Sequence, residues 1–234
     1  MNRRLPLPIL LPLIVVLCHS IGFGARDDDA VRAVFERLLA DQATIWTAPV
    51  KKSTWQRKTP FVMALLSGSS LALDGSPSRR LRECPRLSGF NDLFSSNATG
   101  VPLTVFPVAV LAAGELLHRP AVTDYGLKVT RAAIGGLAVA YVLKAISQRP
   151  RPHSGKTYGF WEGGNSFPSG HSTLAWAIAG ATCRHFEDHR WVPFVAYPIA
   201  GLIAFSRVTT GNHFASDAVT GSVLGWAVGY YGIR

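Results

Sequence analysis

The chain has 234 residues, of which 48% are hydrophobic and only 16% charged, and it carries a net charge of +10. The charged share is well below the roughly 25% of ordinary soluble domains, which points to a buried helical core with little polar surface or to a protein partly within a membrane. Long Lys/Arg runs, a helix-turn-helix and aromatic RNA-binding signatures are all missing, so anionic headgroups or phosphate-bearing molecules suit the positive charge better than nucleic acid does.

In chain order, Met1–Arg4 is basic, Leu5–Leu17 is apolar, and Gly22, Gly24 and Ala25 precede the acidic Asp27-Asp28-Asp29. This is the layout of a secretory signal. Residues 1–25 are expected to be a signal peptide or a retained anchor that places the residues after it outside the cytoplasm. Residues 26–100 form a helical and loop region. Within it, Val31, Val34, Phe35, Leu38 and Leu39 recur at helical spacing. Phe61–Leu73 is apolar but spans 13 residues, short of the roughly 20 that cross a bilayer. Asp74–Gly100 has loop chemistry, with Gly75, Pro77, Pro85 and Gly89 as breakers and a cluster of Arg79, Arg80, Arg82 and Arg86.

Residues 101–234 carry the core. Five apolar segments, Val101–Leu117, Gly126–Ile146, Ser172–Phe186, Trp191–Phe205 and Asp217–Tyr231, are rich in Ala and Gly and joined by short connections. Strand-like alternation is absent. The pattern predicts an all-α bundle of five to six core helices, membrane-associated, whose small residues let helices approach closely. If Phe61–Leu73 does not cross, the end of Gly126–Ile146 emerges on the outer face, although the arginines near Arg80 would favour the inside. None of Cys18, Cys84 and Cys183 forms a CxxC pair, so no zinc site is expected. Cys84 and Cys183 could pair in an oxidising compartment or remain free thiols.

Three polar motifs sit at the ends of these segments. Lys144-Ala-Ile-Ser-Gln-Arg-Pro-Arg151-Pro152 puts Lys144 in a last helical turn, with Pro150 and Pro152 forcing an extended exit. Pro168-Ser169-Gly170-His171 opens the next helix, where a hydroxyl and unobstructed backbone N–H groups make an anion site. Ser206-Arg207-Val-Thr-Thr-Gly-Asn-His213-Phe-Ala-Ser-Asp217 turns at Gly211-Asn212. His213 and Asp217 are four apart and share a helix face, where a carboxylate can fix the imidazole tautomer. Alone, each motif reads as a basic helix end, a serine cap or a surface His–Asp pair. Together they fall on one side of an antiparallel bundle, and three coincidences are then needed to dismiss them.

The three motifs resemble the signature of the type 2 phosphatidic acid phosphatase superfamily, which also contains bacterial acid phosphatases and vanadium haloperoxidases. The resemblance covers Lys144 to Asp217 and implies a phosphatase that needs no metal or other cofactor. It implies that Lys144, Arg151 and Arg207 cage the phosphate with help from Ser169 and the Gly170 N–H. His213 would attack phosphorus, Asp217 would orient it, and His171 would protonate the leaving oxygen and later activate water. A lipid phosphate is the expected substrate, such as phosphatidate, phosphatidylglycerol phosphate, a polyprenyl diphosphate or a lipid A phosphate. A soluble periplasmic acid phosphatase, a vanadate-dependent haloperoxidase and a non-catalytic anion-binding protein are the alternatives. Phe160-Trp161 reads as packing, though it could wall the substrate, and His118, His153, His185 and His189 read as surface or helix-end residues.

Overall fold

The computed structural model describes residues 54–94, 96–154 and 159–232, together with Glu36 and Ala40. The N-terminal apolar run and the periodic apolar positions between Val31 and Leu39 lie outside the described residues. Among the described residues the chain is all-α, with no strand, and six helices have 16 residues or more.

Helix α1 (Thr54–Ser69) continues into a 3₁₀ turn, Ser70–Leu73. The stretch expected to be loop instead contains two short helices, α2 (Ser76–Arg82) and α3 (Ser88–Leu93), before α4 (Ser96–Leu116) begins. The reason is positional. Pro77 stands in the first turn of α2, where a missing backbone N–H costs nothing, so it starts a helix rather than breaking one. The apolar run from Phe61 likewise belongs to a longer helix that begins at Thr54 and carries Pro60.

The five predicted core segments appear as α4, α5 (Pro120–Ser147), α6 (Gly170–His185), α7 (Val192–Thr209) and α8 (Ala215–Tyr231). Helix α6 lies at the centre and packs most extensively on α8. Their seam is built on Gly221, Gly225 and Gly229. A Cβ on these residues would stand 2.6 Å from the Ser169 carbonyl oxygen, 2.1 Å from that of Thr173 and 2.1 Å from that of Ala177, respectively. Four-residue spacing keeps the three on one face, and the absent side chains let the two backbones touch. This contact brings the first turns of α6 and α8 together.

Three stretches, Pro85–Leu116, Pro120–Ser154 and Val192–Thr209, are long and apolar enough to cross a membrane by length and composition. They expose large apolar side chains, among them Phe106, Val142, Phe194 and Ile199. A soluble bundle would turn such residues inward. Cys84 and Cys183 are separate thiols: the first follows α2, beside the end of the bundle where the motifs gather, and the second lies in the last turn of α6 at the other end.

Candidate active site

The polar motifs meet where α5 ends and α6 and α8 begin. Ser169 N–H donates to the Asp217 carbonyl at 2.9 Å, which ties the second motif to the third. Lys144 reaches over the start of α6: its Nζ donates to the carbonyls of Asn165 (2.7 Å) and Ser166 (3.3 Å). Its Cε lies 4.0 Å from the point where a Cβ on Gly170 would stand, so the lysine stem passes close to that glycine. Arg151 Nε donates to Asn165 Oδ1 at 3.1 Å. Two cations from the first motif therefore converge on the short segment that leads into Ser169.

His213 is buried between this segment and α8. Its Nδ1 stands 3.4 Å from Ser166 Oγ and 3.6 Å from Asp217 Oδ2. The second distance suits an ion pair but is long for a hydrogen bond. Ser166 bridges the two residues, because its hydroxyl also donates to Asp217 Oδ2 at 2.5 Å. The same oxygen accepts the Phe214 backbone N–H at 2.9 Å, which closes the first turn of α8. Burial pushes the His213 pKa down to about 4; Asp217 opposes this shift, while Lys144 and Arg151 reinforce it. At neutral pH the imidazole is uncharged and holds a free lone pair.

His171 occupies the first turn of α6 and faces α4. A Cβ on Gly100 would stand 2.9 Å from its Nε2, so the imidazole is seated directly against that glycine. Ser169 is fully buried and caps α6, its Oγ accepting the Ser172 N–H at 3.5 Å. Arg207 is also fully buried, in the last turn of α7. Its backbone carbonyl accepts the His213 N–H at 3.0 Å. Its guanidinium bonds the Phe94 carbonyl and the Ser206 hydroxyl, the latter through Nε at 3.0 Å and Nη2 at 2.8 Å. Arg207 is thus joined to His213 by backbone, while its guanidinium is engaged at the junction of α3 and α4.

The most heavily engaged arginine of the region is one the motifs did not single out. Arg149 is 1% exposed and donates through Nη1 to Asp217 Oδ1 (2.8 Å) and Ser216 Oγ (2.6 Å), and through Nη2 to Asp74 Oδ2 (2.7 Å). Its guanidinium lies 4.2 Å from the Phe214 ring centroid and 4.9 Å from that of Phe160. Asp74 in turn accepts the Ser216 backbone N–H at 2.8 Å and its hydroxyl at 2.6 Å. In sequence, Arg149 and Arg151 look alike in an Arg-Pro-Arg-Pro run, and nothing marks Asp74, Asn165, Ser166 or Ser216. Phe160 packs against Arg149 and Phe167, while Trp161 is exposed.

A groove of about 730 Å³ runs from this end of the bundle between α4, α6 and α7. It starts at Phe94 and Thr99, next to the partners of Arg207 and His171, and ends at Phe186 and Trp191. Its walls are almost wholly apolar.

Residues 125–234 match the family model described as the PAP2 superfamily. A lipid A 1-phosphatase of Porphyromonas gingivalis is 37% identical over 71 residues, which are 29% of this chain and 16% of that protein. A lipid A 4'-phosphatase of the same organism is 31% identical over 74 residues, or 32% of this chain and 31% of that protein. The chain therefore spans less than a third of the length of the curated relatives it matches. A solved transmembrane PAP2-type phosphatidylglycerolphosphate phosphatase from Bacillus subtilis superposes with a TM-score of 0.45 at 22% identity, covering 97% of this chain and 93% of that one. That likeness is too loose to say more. With all three motifs assembled inside the matched segment, the chain belongs, through residues 125–234, to the PAP2 superfamily.

Proposed function

We propose that the protein is a membrane-resident phosphatase that hydrolyses phosphorylated lipids without a metal, through a phosphohistidine on His213. The observation that carries this reading is the meeting of Lys144, Arg151, His213 and Asp217 around the Asn165–Ser169 segment. Phosphoryl transfer spreads negative charge over three equatorial oxygens, and fixed cations there replace water or a metal ion as the stabilising environment. Lys144 and Arg151 bond carbonyl and amide oxygens, which a phosphate can replace with a stronger charge-assisted bond. Arg207 would exchange the Phe94 carbonyl in the same way. Ser169 and the Gly170 N–H add donors at the start of α6.

In the proposed step a lone pair of His213 Nε2 forms the N–P bond as the P–O bond to the leaving group breaks. Nδ1 stays turned toward Ser166 and Asp217, and the carboxylate stabilises the positive charge that the phosphorylated ring acquires. His171 protonates the departing alkoxide oxygen, then takes a proton from the water that cleaves the N–P bond. Histidine at position 171 is thereby a test of the leaving group. The His171→Ala variant is expected to lose about 100-fold or more on alkyl phosphates but little on activated aryl phosphates, whose anions leave unassisted. Equal losses on both, measured as initial rates, would remove His171 from the acid role.

The apolar groove beside the site and the three bilayer-length stretches support a lipid substrate. Lipid A phosphates come first because two relatives carry that name. Sidedness follows from the chain order. Helix α1 has 16 residues, about 24 Å at 1.5 Å per residue, and falls short of the roughly 30 Å hydrocarbon core. The site then opens to the periplasm or exterior. Vanadate is expected to inhibit, since it adopts the trigonal bipyramid of the transferring phosphoryl group, while chelators leave the rate unchanged. Phosphate release from lipid and soluble monoesters, with and without orthovanadate or EDTA, checks both expectations.

A further inference from the structure

We infer that Asp74, from the segment before the family-matched residues, is a positioning residue for the proposed phosphoryl transfer, keeping the buried Arg149–Asp217 network net negative beside His213. This inference rests on the proposed role of His213 and extends it to a part of the chain that the signature motifs do not cover.

Charge counting supplies the reason. Arg149 contributes one positive charge, and Asp74 and Asp217 contribute one negative charge each, all within 2.8 Å contacts and shielded from water. With Asp74 present the cluster is net −1. Without it, Arg149 and Asp217 would form a neutral pair, and a neutral pair gives little stabilisation to an imidazolium. The need for that negative charge is set by what else faces His213. Lys144 and Arg151 approach from the end of α5, Arg207 lies one hydrogen bond away along the backbone, and Asp217 is the acidic group in direct reach. A phosphorylated, positively charged His213 would sit among these cations. Asp74 draws one of the two guanidinium nitrogens of Arg149 to itself and leaves Asp217 only partly compensated.

Geometry adds a second effect. Asp74 holds both the backbone N–H and the hydroxyl of Ser216, which precedes Asp217, so it also anchors the first turn of α8. A merely structural Asp74 would act through this anchor alone, and the two roles separate experimentally.

The test is Asp74→Asn against Asp74→Glu in the full chain in detergent, with wild type and His213→Ala alongside, using one alkyl phosphate lipid throughout so that its own ionisation cancels. Helical circular dichroism checks folding. For Asp74→Asn we expect kcat to fall about 10–100-fold with KM changed less than about threefold. The acid limb of kcat/KM should move down by about half a pH unit or more, because less negative potential makes His213 harder to protonate. Asp74→Glu keeps the charge and should keep the wild-type limb even if kcat drops. If the asparagine variant does not fold, Asp74→Ser, which admits water beside Arg149, carries the same expectations. A wild-type kcat and limb in Asp74→Asn would overturn the inference, as would a loss in all variants with the limb unmoved. Wild-type protein without phosphatase activity, or an active His213→Ala variant, would instead strike at the proposed function itself.

Discussion

Replacing His213 with alanine is expected to lower kcat for phosphate release by about 10⁴-fold or more, while the helical content stays that of the wild type. The size follows from the role. A general acid or a binding cation can be partly replaced by water, but no other group here can form the N–P bond. The fold should survive because the ring, though buried, is neutral and makes one long contact to Ser166 and another to Asp217. The variant exchanges a satisfied polar group for a small cavity, and Ser166 keeps its bond to Asp217. Trapping of labelled phosphate on the denatured protein, present in wild type and lost in His213→Ala, is the direct check. Retained turnover would end the assignment.

The largest effect on stability is expected at Arg149. Arg149→Ala should destabilise the protein by about 3–5 kcal/mol, since it strands two buried carboxylates, Asp74 and Asp217, without a counter-charge. Packing offers a second explanation, because the guanidinium stacks on Phe160 and Phe214. Arg149→Met separates them. Methionine restores most of the volume and none of the charge, so it should be nearly as destabilised as alanine if the carboxylates decide the outcome. Thermal unfolding of both variants in the same detergent measures the difference. Recovery of most of the stability by methionine would assign the effect to packing. Neither result bears on whether His213 is the nucleophile.

Much of the core was legible from hydrophobic segments alone. Each of the five apolar stretches after residue 100 became a helix within a few residues of its predicted ends, because their small and apolar residues leave no period-two alternative. The polar motifs were legible for a related reason. Lysine, arginine, histidine and aspartate at the ends of apolar helices are costly unless a partner or a ligand requires them. Between Asp74 and Gly100 the reading failed, because proline and glycine mark helix starts as readily as loops and only the packed neighbours decide which.

The site divides along the same line. By itself the sequence determined the helix count of the core, the antiparallel order that sends three motifs to one end, and the residue types able to hold and attack a phosphate. Spacing along a helix suffices for those, since periodicity and chain reversal are local properties. Only the tertiary structure decided that Arg149 rather than Arg151 clamps Asp217, that Ser166 stands between His213 and that carboxylate, and that Asp74 reaches the network from 143 residues away in the chain. Those contacts depend on which of several similar polar side chains is excluded from water, and exclusion is set by the whole packed bundle.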